Sequence, residues 1–467
     1  MTRILLSSLI LAFCTLTLPA NAGETYPATI EAAREQALAQ HPAAALAAYR
    51  TALTQAGDDP ARVRVALFGI GRMLLSLERY EDARNVYAEL LASTLDRVDR
   101  DVALDGEIQS LSYLDRPHSA YAFVPRDRTI DNGALVISAA RAASWSGRPD
   151  LARSILERNA PALTSLDPHS RLASQLASIA EAVHREIEPR VALSQSSTHD
   201  SDGLLVNEAM LELRRSLTRA DALTLEGRAV SLSGSGAPIV GSSILVGYAG
   251  RVSDDLTFAA KVGSRQFAGW NHGIALAEIA YAPSDALRIV ASTDSTVVES
   301  LQAISNRITT STDGITVRLI PLARFVATAG LSTQMFSDGN RRAARSGSVS
   351  YAVLPDIGLG VQARVRSFSD RLSPNDGYFS PARLDEEQLL FTENRRVRTW
   401  RYSAVFGIGR QRIVGSRTAT TTLGLSAGGP LGGCLRTEAS ISNANSALAS
   451  ISGYRSTNVT IQFACTL

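Results

Sequence analysis

Three cysteines in 467 residues, at Cys14, Cys434 and Cys465, are too few and too scattered for a disulfide scaffold or a structural zinc site. Histidine is almost as scarce, with six copies and no Cys/His cluster at metal-ligand spacing, so neither a metal nor a cofactor is expected. Excess charge of one sign is also missing: the net charge is +2, which supplies no strongly basic field for nucleic acid. Past residue 22 no stretch reaches the roughly 18 consecutive apolar residues that a spanning helix requires. A composition of 45% hydrophobic and 20% charged residues excludes a disordered chain.

What the chain does have begins at its first residues. Arg3 supplies a positive start, Ile4 to Leu18 an apolar run, and Ala20-Asn21-Ala22 a small-residue cleavage site before Gly23. Residues 1–22 therefore read as a secretory signal peptide. A lipoprotein would need Cys14 at the modified position, but it lies within the apolar run behind bulky Phe13. An exported chain without a spanning helix can cross a membrane only with strands.

Residues 23–188 are rich in Ala, Leu, Arg and Glu at helical spacing, with self-similarity at a period of about 35 residues, near that of tetratricopeptide (TPR) repeats. The clearest copy is Leu67-x-x-Ile70-Gly71-x-x-Leu74 followed by Tyr80-x-x-Ala83-x-x-x-Tyr87. Ala33, Ala45, Tyr49 and Ala52 form an earlier copy, and Gly147, Ala152 and Leu156 a later one. Ser112 to Phe123 fits a degenerate copy around Ala120. Small residues let paired helices approach, while Tyr or Leu fills the groove of the next repeat. An irregular array of helical hairpins is the plainer alternative; either forms a contact surface.

At Glu188-Pro189 the period changes to two. Leu256 to Val262, Phe325 to Leu331, Trp400 to Ile408 and Val459 to Phe463 alternate apolar and polar residues. Turn signals include Ser253-Asp254-Asp255, Ala282-Pro283-Ser284, Pro355-Asp356 and Gly428-Gly429-Pro430. About sixteen strands fit into residues 189–467, which suits a transmembrane barrel. The expected fold is thus α + β in two domains: an N-terminal TPR-like α-solenoid, then a C-terminal transmembrane antiparallel β-barrel. On the polar face lie Glu212, Arg214, Lys261, Arg265, Arg318, Arg364, Arg366, Arg401, Arg436 and Glu438, the candidate pore lining. Trp400, Tyr402 and Phe463 lie on the other face as candidates for an aromatic girdle. A soluble sandwich also alternates, but export, the charged inner face and the strand number favour the membrane barrel. With a periplasmic N-terminus, Glu299 to Asn306 and Ser367 to Arg383 become long extracellular loops.

No catalytic set stands out. Gly424-Leu425-Ser426-Ala427-Gly428 has the form of a nucleophile elbow, but it leads toward a Gly-Gly-Pro turn where an elbow needs a helix. Only His199 and His272 lie in the barrel, and Asp385-Glu386-Glu387 reads as a loop edge or an acidic patch at the pore mouth. Cys434 and Cys465 end the last two expected strands in an oxidising compartment, which suggests a disulfide. Their strand parities disagree, so the bond needs a bulge or a frayed end.

Asp376-Gly377-Tyr378-Phe379-Ser380-Pro381 resembles a Gly-Tyr-(Tyr/Phe)-(Ser/Asn)-Pro segment late in the barrels of exopolysaccharide-export porins. These are the outer-membrane proteins of cellulose and poly-N-acetylglucosamine secretion, with a related phage-adsorption barrel. That family also places periplasmic TPR repeats before a sixteen-stranded barrel, though with many more repeats. The resemblance implies export of a polysaccharide through an outer-membrane pore. It also implies that the helical repeats contact a periplasmic or inner-membrane synthesis or modification protein, or the polymer itself. Outer-membrane lipid would surround the barrel and no reaction would be performed. A closed barrel serving as scaffold or surface receptor, and a barrel-wall hydrolase using Ser426 or a loop carboxylate, are the alternatives.

Overall fold

The computed structural model describes residues 25–467 except 219, 235, 268, 323, 374–376 and 447–454. The expected signal peptide and Asp376 of the loop motif lie outside the described residues, as does Ala449, near which an expected last hairpin joining the strands of Cys434 and Cys465 would be centred. The described residues divide into two compact units, one that ends at Ser110 and one from Leu111 to Leu467.

The first unit holds α1 (Tyr26–Leu38), α2 (Pro42–Gln55), α3 (Pro60–Ser76), α4 (Tyr80–Ala92) and most of α5 (Arg97–Tyr113). Proline in the first turn starts α1, α2 and α3, where its missing N–H costs nothing. Asp59 caps α3 by accepting from the amide of Ala61 at 2.9 Å. Two tight turns, before α2 and α4, hold Gln40 and Glu78 at positive φ. Ala45 and Ala83, each three residues into the following helix, are fully buried. Tyr49 and Tyr87 follow at equal offsets, and each ring lies where a side chain at Gly69 or Gly106 would stand. Only glycine on the facing helix leaves room for these rings.

The second unit opens with α6 (Pro117–Ala122), α7 (Gly133–Trp145), α8 (Pro149–Arg158), α9 (Ala160–Thr164) and α10 (Arg171–Ile187). The same device recurs: Asp115 and Gly147 take positive φ, and Ala120 and Ala152 are fully buried three residues into α6 and α8. Asn132 caps α7 and Ser170 caps α10.

From Arg190 onward the described chain is almost entirely strand. The first eight are β1 (Arg190–Asp200), β2 (Leu205–Ser216), β3 (Ala222–Ser233), β4 (Ile239–Arg251), β5 (Leu256–Phe267), β6 (Trp270–Ser284), β7 (Leu287–Val297) and β8 (Thr309–Leu322). Between β7 and β8 sits a short helix, α11 (Leu301–Ser305). The rest are β9 (Phe325–Phe336), β10 (Arg341–Leu354), β11 (Leu359–Asp370), β12 (Leu384–Val397), β13 (Trp400–Ile413), β14 (Ser416–Gly432), β15 (Leu435–Ala444) and β16 (Ser456–Thr466). Each pairs antiparallel with its chain neighbours, and β1 closes on β16 with Arg190 opposite Thr466. Closure leaves no unpaired edge, as lipid demands. Both ends of the barrel chain and helices α6 to α10 therefore lie at one mouth.

Four register shifts occur, all at that mouth. Pro283, Pro321 and Pro430 fall at three of them and Pro355 follows the fourth, as expected of a residue that cannot donate to the ladder. Here the structure corrects several expectations. Gly428-Gly429-Pro430 is strand, because a bulge absorbs Pro430, and the turn comes at Gly433-Cys434. Ala282-Pro283-Ser284 likewise ends β6 without turning. The outer loop expected from Ser367 starts after Asp370, since Ser367 to Asp370 still pair with β10. Asp385, Glu386 and Glu387 are ladder residues of β12, not a loop edge.

Candidate pore and its two mouths

Strand register sorts the barrel residues into two faces. One carries exposed Leu, Val, Ile and aromatic side chains, among them Val262 at 60% exposure and Leu331 at 63%, a face that water would not tolerate. Trp400, Tyr402 and Phe463 lie on it, with Trp400 and Tyr402 stacked at 6.5 Å. The other face carries most of the barrel's ion pairs, among them Arg228 with Glu208 and Arg366 with Glu386. All ten pore-lining candidates share it: registers connect Glu212 and Arg214 through Glu226 to Lys261 and Arg265, and Arg364 and Arg366 through Gln388 and Glu386 toward Arg401. Arg318, Arg436 and Glu438 fall on the same parity. A closed barrel of sixteen strands is wide enough to enclose a lumen, and this polar face lines it.

At the mouth away from the helices, two loops fold inward. Leu301 and Ile304 of α11 pack on Leu232, Phe267 and Trp270, all inner-face residues. Glu299, just before α11, accepts from Arg228 of β3 at 2.8 Å and from Arg265 of β5. Arg228 also bonds Glu208. Sequence reasoning passed over Glu299 as a pairing residue because its partners lie on strands far away in the chain.

The loop between β11 and β12 carries the motif Gly377 to Pro381 and meets the α11 segment. Ser300 donates to the Gly377 carbonyl, and Tyr378 stacks on Phe336 with ring centroids 4.3 Å apart. The Tyr378 hydroxyl donates to Asp338 at 3.0 Å and accepts from Asn340 at 3.0 Å. Burial pushes this phenol well above its ordinary pKa, and the Asp338 carboxylate adds to the effect. Phe379 lies edge-on to Phe368, and its carbonyl accepts from Arg342, which also forks onto Asp370. Ser380 is buried and the Pro381 carbonyl accepts from the Asp370 amide. The motif thus pins an inward-folded loop, a role its residue types alone do not announce.

At the opposite mouth the helices are tied to the barrel turns. Asp285, between β6 and β7, accepts from the amides of His118 and Ser119 at 2.7 and 2.9 Å, capping α6. Arg148 reaches the Asp254 carbonyl at 2.9 Å, and Arg251 pairs with Asp150 at 3.0 Å. Arg153 bonds Glu188 and holds its carboxyl below the usual range. Between the helices and the strands lies a cavity of about 890 Å3, lined by Trp145 and Arg185 from the helices and by Arg401, Arg436, Glu438 and Gln462 from the wall.

Cys434 and Cys465 are joined, with Cα atoms 4.9 Å apart. Cys434 stands in the turn just outside the ladder while Leu435 takes the register opposite Cys465. The frayed end removes the parity conflict. Of the three adjacent acids, Glu386 points inward to Arg366, while Asp385 and Glu387 point outward to Arg383 and Arg410. Ser426 is a mid-strand inner-face residue bonded to Ser403 at 2.7 Å, with no helix following β14, so the elbow geometry is not formed. His272 faces inward beside Trp270, and His199 faces outward.

No family model matches the sequence and no curated protein matches it. Among solved structures the chain is similar to a "bacterial polysaccharide outer membrane secretin", with a TM-score of 0.52 and 15% identity over 61% of this chain and 99% of that one. It is also similar to CdiB from Acinetobacter baumannii, at 0.39 and 14% identity over 59% of this chain and 60% of that one. OccK11 (OpdR) from Pseudomonas aeruginosa follows at 0.36 and 10% identity, over 60% and 96%. At 15% identity the first shares a fold, and the other two are too distant to argue from. The closed barrel, its apolar exterior and that shared fold define a bacterial outer-membrane β-barrel protein. With the N-terminal domain in the periplasm, the mouth that holds the ends of the barrel chain and helices α6 to α10 is the periplasmic one, and the inward-folded loops lie at the other.

Proposed function

We propose that this protein is an outer-membrane channel for export of an exopolysaccharide, of the cellulose or poly-N-acetylglucosamine export type. The observation that carries the reading is the polar lumen of a sixteen-strand barrel, whose outer mouth is built around Gly377 to Pro381. Polymer moves through such a lumen by exchanging water hydrogen bonds for those of wall hydroxyls, amides and guanidinium groups. The solved structure sharing the fold is itself described as handling a polysaccharide, which supports the same direction. The helices act as a short TPR array that docks a periplasmic or inner-membrane synthesis or modification protein. The fully buried alanines at 45, 83, 120 and 152, each just after a positive-φ turn, support that array. The barrel is assigned no chemistry of its own.

A deletion strain tests the proposal. Surface glycan should disappear while intact polymer accumulates in the periplasm, and the purified protein should conduct ions in planar bilayers. The inward-folded loops favour a second reading, a closed barrel serving as scaffold or receptor. That barrel would pass no current even after loop deletion, and surface glycan would persist without it.

A further inference from the structure

The inner wall does not treat its charges alike from one mouth to the other. Toward the exterior, Arg228, Arg265, Arg342 and Arg366 are each neutralised by a carboxylate within 4 Å. Toward the periplasm the arrangement reverses. Arg190 stands directly opposite Arg214, Arg288 opposite Arg318, and Arg396 opposite Arg401, three like-charged pairs on neighbouring strands. None of these six guanidinium groups forms an ion pair within 4 Å among the described residues; the acids that reach them, Asp115 toward Arg318 and Glu186 toward Arg214, act from further away. Arg436 joins them, within Coulombic reach of Arg185 and Glu181 of α10 and of Arg401 and Arg396, so three cations and one acid act on it. Like charges placed directly opposite on a sheet are destabilising, and here the cost is repeated three times at a single mouth.

The choice of cation points the same way. Lys261 is the only lysine, so all but one of the 47 basic side chains are arginine. Guanidinium presents a planar fork that matches a carboxylate through two parallel hydrogen bonds, which an ammonium cannot do. Part of this rim lines the 890 Å3 cavity beneath α7 and α10, where Glu438 and Glu186 temper the field without pairing to it. A neutral glycan needs no such field, and a polycationic one would be repelled by it.

We infer that the periplasmic rim of the barrel is a capture site for an acidic polysaccharide, one bearing uronate-type carboxylates, and that it feeds this polymer into the lumen. The inference rests on the channel reading, keeps its export of a polysaccharide, and replaces the uncharged cargo of the cellulose or poly-N-acetylglucosamine type with an anionic glycan. Residues at the exterior end need no free cations, because a polymer held there as tightly would not leave.

The test uses the full-length protein in planar bilayers, with oligogalacturonates, cello-oligosaccharides and chitosan oligomers of matched length added to the periplasmic side. Oligogalacturonate should block the current at a concentration at least tenfold below that of the neutral oligomer. Arg401→Gln with Arg436→Gln should remove most of that difference, and so should raising the salt from 0.1 to 1 M, which shortens the screening length to about 3 Å. Equal block by acidic and neutral oligomers, or preferential block by chitosan, overturns the capture site while leaving the channel standing. Should the barrel carry no current, binding of oligogalacturonate to the detergent-solubilised protein is measured by calorimetry. Binding lost in the double variant then keeps the site while the export reading falls; absence of binding removes both.

Discussion

A single carboxylate, Glu299, holds the inward-folded helix of the outer mouth against two arginines on different strands. It is 17% exposed and its partners Arg228 and Arg265 are 14% and 8% exposed, so their charges are largely out of water. Removing Glu299 leaves Arg265 uncompensated, while Arg228 keeps Glu208, at a cost of about 3 kcal/mol, less where the lumen is wet. Glu299→Gln should therefore release α11 from the mouth. Single-channel conductance should rise, and trypsin should cut after Arg307, which sits in the adjoining turn at φ 58°. Unchanged conductance and an intact Arg307 bond would show that the apolar contacts of Leu301 and Ile304 suffice. At this scale the inner-wall residues were legible because strand parity needs no tertiary knowledge: Arg366 and Arg401 must share a face if the strands pair in the common way. Glu299 was not, because its partners come from strands some seventy and thirty residues earlier. Asp385-Glu386-Glu387 was misread since charge on both faces of a strand erases the alternation that would have revealed it.

At the scale of elements, the last hairpin shows what pattern alone leaves open. Strands β15 and β16 were both readable from alternation, but their ends were not, and the disulfide hung on one residue of register. The bond closes 31 residues of chain at the periplasmic end, where β16 also pairs with β1 to shut the barrel. Chain-entropy bookkeeping assigns such a loop about 3–4 kcal/mol. Cys434→Ser should thus lower the temperature at which the folded band converts to the unfolded one on semi-native gels, by a few degrees. The wild type should shift equally when reduced. Identical midpoints for variant and unreduced wild type would mean that the ladder alone closes the seam. The helical half was legible by the same logic of spacing: alanine three residues into a helix and tyrosine four later. Glycine at 69 and 106, which makes room for those rings, carries meaning only once the facing helix is known.

For the molecule as a whole, the change of period at Glu188-Pro189 marks where helices give way to strands, yet the compact units divide within α5, at Ser110. Polar bonds that no periodicity encodes run from the second group of helices to the barrel: Asp285 caps α6, Arg148 grips the β4–β5 turn, and Arg251 reaches Asp150. Helices α6 to α10 therefore belong with the barrel they adjoin. Two truncations separate this division from one at residue 188. With the signal segment retained, a chain lacking residues 25–110 should still reach the outer membrane, give a heat-modifiable barrel and conduct as the full chain does. One lacking residues 25–187 strips Asp285, Asp254 and Arg251 of their partners and uncovers the cavity that Trp145 and Arg185 help to line. Its folded yield should fall and the conductance of the surviving barrels should rise, because nothing then lies across the arginine rim. If both truncations conduct alike, the second group of helices is a tether and not part of the pore.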